Sequence, residues 1–129
     1  MRRLQNSRFF IAERPAEPVL VLEGVTSEWL FASGFWKRIN HLMGTMFDQF
    51  EGDEAEPATL NQIACEMDCH IRELEARSDE TIRFVCGWSG TGEPHTIETP
   101  RANLISQLAV LRTFLASSSA NGDTLELSL

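Results

Sequence analysis

Seven apolar residues in one short span most constrain what this chain can fold into. Trp36, Ile39, Leu42, Met43, Met46, Phe47 and Phe50 recur at intervals of three and four. At 100° per residue they fall within an arc of about 140°, the stripe of an amphipathic helix. A strand, with its period of two, would scatter them over both faces. The spacing predicts a helix over residues 35–50, with Ser33 as N-cap. Gly44 lies opposite the stripe and weakens this helix slightly.

Two further stretches repeat the pattern. Pro57 forbids continuation of the first helix, and Thr59 with Gln62 makes a capping-box pattern. Leu60, Ile63, Ala64, Met67, Ile71 and Leu74 form the stripe of a helix over 59–77. A third helix spans 100–116, with Thr99 as cap and Pro100 at the first helical position. Its apolar residues cover most of its circumference, so it is expected to be buried on two sides.

Between and around these lie strands. Residues 8–12 and 19–25 are rich in Phe, Val and Leu, and Pro15 and Pro18 separate them, which suits strands near a sheet edge. The segment 26–32 is ambiguous, either an early start to the first helix or a separate turn. In 81–88 the residues Ile82, Phe84, Cys86 and Trp88 share one face. The turn residues from Ser89 to Pro94 then return the chain as an antiparallel strand over 95–98. At the end, Leu125, Leu127 and Leu129 alternate over 124–129. The expected order is ββααββαβ: a single α+β domain over residues 1–129, with a mainly antiparallel sheet of four to five strands and three helices. Only 51–57 and 117–123 read as linkers.

Charge is distributed unevenly. The chain carries a net −8. Residues 46–80 hold eleven acids, opposed only by Arg72 and Arg77, a local net of −9. Such a region repels nucleic acid and anionic lipid and attracts basic partners at long range. The bases gather in an N-terminal arm (Arg2, Arg3, Arg8, Arg14) and at Lys37 and Arg38. Apolar runs are far too short for a membrane span, and the start lacks the apolar core of a signal peptide. Three cysteines without framework spacing fit free thiols in a reducing, cytoplasmic setting.

Chemical motifs are sparse. Cys65, Cys69 and His70 form C-x3-C-H, and Cys86 with His95 would have to join them to complete a metal site. The spacing matches no standard zinc pattern, so packed or incidental cysteines and no metal or cofactor are expected. Cys65 and Cys69 lie opposite the apolar stripe, on any solvent face that the 59–77 helix has. The acids at 51–56 depart from a calcium loop. Ser89-Gly90-Thr91-Gly92 lacks the Lys-Ser/Thr ending of a phosphate cradle and reads as a hairpin turn. No Gly-x-Ser-x-Gly elbow is present. The residue types allow a cysteine nucleophile with His70 or His95 as base, but nothing in the spacing brings them together.

These features predict a small acidic cytoplasmic protein-binding module with no catalytic residues. Its most concrete form is an inhibitor or immunity-type protein that neutralises a basic partner. The predicted contacts are Glu51, Asp53, Glu54, Glu56, Glu66 and Glu73. Nucleic acid and membrane are not expected partners. One alternative is a self-associating structural or regulatory domain, a homo-oligomer formed through the third helix or the Cys65/Cys69 face. Another is a small metal- or thiol-dependent enzyme.

Overall fold

The alternation of Leu125, Leu127 and Leu129 builds the strand around which the larger sheet is organised. The computed structural model describes residues 4–49, 51–88 and 92–129. Arg2, Arg3, Phe50, residues 89–91 of the expected turn and the side chain of Trp88 lie outside the described residues. Along the chain come β1 (Ser7–Ile11), β2 (Leu20–Leu22), α1 (Gly24–Ala32), α2 (Phe35–Met43) and β3 (Gly52–Ala55). Then follow α3 (Pro57–Ala76), β4 (Thr81–Trp88), β5 (Pro94–Pro100), α4 (Arg101–Ala120) and β6 (Leu125–Ser128). The class is α+β, as expected. The described strands form two antiparallel sheets rather than one: a four-stranded sheet in the order β2-β1-β6-β3, and the hairpin β4-β5.

Register explains the core face. Phe9 stands opposite both Leu20 and Leu127, and Leu125 lies between Ile11 and Ala55. Helices cover this face, with Phe9 meeting the Phe114 ring of α4 edge-on at 6.2 Å. Leu104, Leu108, Leu111 and Leu115 of α4 are fully buried with Leu60, Ile63, Met67 and Leu74 of α3 in one hydrophobic cluster. The expected burial of α4 on two sides is incomplete: Val110 is exposed, and Ile105 and Phe114 are half-buried.

The structure departs from the expected ββααββαβ arrangement in two added elements and one shortened helix, each with a physical reason. First, α1 is a helix of its own. It buries polar residues (Thr26, Ser27 and Glu28), so no apolar stripe announces it. Its polar groups are met from distant segments. Ser27 Oγ bonds Ser7 Oγ, Thr26 Oγ1 donates to Gln107 Oε1, and Gln49 Nε2 donates to Glu28 Oε1. Gly24 starts this helix where a Cβ would stand 2.8 Å from the Leu4 Cβ, so the close approach requires glycine.

Second, α2 stops at Met43 rather than at Phe50. Gly44 takes a left-handed conformation (φ 66°) and ends the helix. Met46, expected in the stripe, is 81% exposed, and Leu42 is 53% exposed. Phe47 is nevertheless buried and packs on Trp36 at 5.6 Å between centroids. Ser33 is not the N-cap of α2; Gly34 holds that position and Ser33 closes α1.

Third, the expected linker at 51–57 contains β3. Its sequence has little strand preference. Pairing with β6 imposes the extended form, with Asp53 opposite Leu127 and Ala55 opposite Leu125. The flanking caps also move. Glu56 caps α3, Pro57 rather than Thr59 opens it, and Pro100 rather than Thr99 caps α4. Arg101 locks the end of α3 by donating from Nη1 to the Leu74 carbonyl at 3.2 Å and from Nε to the Asp79 carbonyl at 2.7 Å.

Candidate functional site

The predicted contact residues divide into two groups. Glu51, Asp53, Glu54 and Glu56 are all exposed, on or beside β3. This strand is one of the sheet's two outer strands and, among the described residues, pairs only with β6. Glu126 of β6 joins the group, since it stands directly opposite Glu54. Like charges facing each other across strands are destabilising. Among the described residues, none of Glu51, Asp53, Glu54 and Glu56 forms an ion pair.

Elsewhere in the acidic stretch, three of the seven remaining acids pair with arginine among the described residues: Glu66, Asp68 and Asp79. Glu66 pairs with Arg38 at 3.2 Å, and its side chain is only 19% exposed. Asp68 accepts from Arg112 at 2.7 Å and pairs with Arg72 at 2.8 Å. Asp79 meets Arg77 at 3.4 Å, and the hydrogen bond from that side chain holds its carboxyl below the usual range. Glu73 is more open, at 68% exposed, but it faces His70. At 1.5 Å per residue, Glu73 lies roughly 24 Å along α3 from Pro57. Screening beyond about 8 Å makes it electrically separate from β3. The structure does not bring Glu66 and Glu73 together with the four acids of the strand.

Glu73 belongs to a different feature. A cavity of about 320 Å³ opens where α1, the C-terminal half of α3 and β4 meet. Ser33, His70, Glu73, Arg77 and Arg83 line it alongside Trp29, Leu74, Ile82 and Phe84. Two aromatic rings hold the imidazole of His70: Trp29 at 4.9 Å and Phe35 at 5.3 Å between centroids. Its Nε2 lies 3.0 Å from Ser33 Oγ, and its Nδ1 lies 3.7 Å from Glu73 Oε2. Burial pushes the His70 pKa below its ordinary 6.5; Glu73 opposes this shift and Arg38 adds to it.

Spacing alone shows part of this arrangement, because His70 and Glu73 are one helical turn apart. Ser33 could not be found that way. Its place depends on α1 being a helix, and α1 carries no periodic apolar signal.

The cysteines stand apart from both features. Cys65 and Cys69 are exposed on the outward side of α3, and Cys86 is half-buried in β4. His41 is exposed and His95 is half-buried at the start of β5. Among the described residues, no three His, Cys, Asp or Glu side chains converge as a metal site. No helix among them is long and apolar enough to cross a membrane. Comparison with known protein families, curated proteins and solved structures finds nothing that matches this chain.

Proposed function

We propose that this chain is a protein-binding module that engages a basic partner along β3. The carrying observation is that, among the described residues, Glu51, Asp53, Glu54 and Glu56 form no ion pair around an edge strand that pairs on one side only. An unpaired strand edge presents backbone donors and acceptors to an added strand. Acids beside it favour Lys- and Arg-rich segments and speed their encounter. The opposition of Glu54 and Glu126 works against folding, and a local rule broken without compensation marks a candidate functional site. An inhibitor or immunity-type protein that neutralises a cationic surface is the most specific form of this reading.

The test is affinity capture from the native host at low and high salt. The bait is wild type or a variant carrying Glu51→Gln, Asp53→Asn, Glu54→Gln and Glu56→Gln. A basic protein held by wild type at low salt, released at high salt and absent from the variant supports the reading. Identical captured sets from the two baits would refute it.

A further inference from the structure

The contacts of His70 suggest chemistry at a site remote from β3. Ser33 Oγ has two neighbours that can accept its proton: His70 Nε2 at 3.0 Å and the Leu30 carbonyl at 3.3 Å. The tautomer of His70 decides between them. Glu73 Oε2 stands 3.7 Å from Nδ1, and a carboxylate there favours a proton on Nδ1. Nε2 is then the bare nitrogen, and it takes the shorter of the two hydrogen bonds from Ser33. A nucleophile, a base and a carboxylate beside the base thus lie in sequence on the wall of one cavity.

We propose that Ser33, His70 and Glu73 form an acyl-transfer site that hydrolyses small esters bearing an anionic group. Ser33 Oγ forms a bond to the ester carbonyl carbon as its proton passes to His70 Nε2. The carbon–oxygen bond to the leaving alcohol breaks, and His70 returns the proton to that oxygen. Water, activated by the same nitrogen, then cleaves the acyl-Ser33 ester and yields the carboxylic acid. Glu73 is a positioning residue, acting through the imidazole rather than on the substrate.

Several surroundings fit this chemistry. Burial lowers the His70 pKa, which favours the neutral imidazole that can accept a proton. Arg77 and Arg83 line the same cavity. Arg77 meets Asp79 at 3.4 Å and Arg83 meets Glu98 at 3.7 Å, so each guanidinium retains donors for a carboxylate on the substrate. Trp29 and Phe84 give the acyl chain an apolar wall.

The assay compares 4-nitrophenyl acetate with the mono-4-nitrophenyl ester of glutaric acid. The protein is the full chain carrying Cys65→Ser and Cys69→Ser, so that the exposed thiols do not take the acyl group. Peptide mass spectrometry should find the adduct on Ser33, and Ser33→Ala should abolish both the adduct and the nitrophenolate burst. Ser33 is exposed at the end of α1, so this variant tests the chemistry without disturbing the core. His70→Gln should slow acylation by roughly 10²–10⁴-fold. Glu73→Gln should move the acid limb of the pH–rate profile to lower pH, an effect that a merely structural role would not produce. Arg77→Ala with Arg83→Ala should slow the glutarate ester and spare the acetate. An adduct located elsewhere, or hydrolysis that survives Ser33→Ala, would overturn the proposal. Equal loss on both esters in the arginine variant would overturn the substrate class.

Discussion

Asn40 holds both backbone groups of Phe47. Its Oδ1 accepts the Phe47 amide at 2.8 Å, and its Nδ2 donates to the Phe47 carbonyl at 2.7 Å. Thr45 Oγ1 donates to the same Oδ1 at 2.8 Å. One side chain thus replaces the bonds a continuing helix would have made and returns Phe47 to the core beside Trp36. Asn40→Ala leaves these groups unmet and should cost about 1–3 kcal/mol. Chemical denaturation would measure the loss. Quencher access to Trp fluorescence should rise in the same variant, because the Phe47 ring that covers Trp36 would be released.

This contact also marks where the sequence could and could not be read. The stripe from Trp36 to Phe47 correctly identified the buried residues Trp36, Ile39 and Phe47. It could not distinguish a fourth helical turn from a reversal, since either brings Phe47 inward. That choice rests on Gly44 and on the side-chain bonds of Asn40. The α3 helix and the β4-β5 hairpin were legible because their periodicity is local. β3 and α1 were not, because each is set by partners far along the chain: Leu125 and Leu127 for one, Ser7 and Gln107 for the other. The candidate sites follow the same division. The acids of β3 were visible as a run, whereas Glu126 entered through sheet register and Ser33 through α1.

The burial of His70 predicts a pH dependence of stability. Its folded pKa lies below the unfolded value of 6.5, so the unfolded chain binds a proton more readily. Stability should therefore be unaffected by this group well above 6.5 and should fall as pH drops through 6.5 toward the folded pKa. Carboxylates contribute their own losses at lower pH, so the relevant quantity is a difference. Wild type and His70→Gln should diverge in their pH trends over about pH 5–8, with wild type losing more on acidification. Parallel denaturation midpoints across that range would contradict the burial of the imidazole.

Cys65 and Cys69 should behave as accessible thiols. Both are exposed, whereas Cys86 is half-buried in β4. A chromogenic disulfide reagent should modify two of the three thiols in the native protein and the third only slowly or after unfolding. Dialysed protein should carry no stoichiometric zinc. Elemental analysis that found one zinc per chain, lost on Cys65→Ser, would reassign these residues as ligands.

The acids of β3 make the sharpest kinetic prediction. Exposed charges at an interface rim chiefly alter association rate, whereas desolvated pairs alter dissociation. Neutralising Glu51, Asp53, Glu54 and Glu56 together should lower the on-rate for a basic partner more than it raises the off-rate. The effect should shrink as salt shortens the range of the field. Folding stability should hold or rise slightly, because no ion pair is lost and the repulsion between Glu54 and Glu126 is relieved. Neutralising Glu66 instead should do something different. That residue pairs with Arg38, and its change should alter stability by about 0–1 kcal/mol while leaving the on-rate unchanged. Stopped-flow binding on the two variants, read beside their denaturation curves, separates the outcomes. If the Glu66 variant slowed association and the fourfold variant did not, the contact surface would lie on α3 and not on β3.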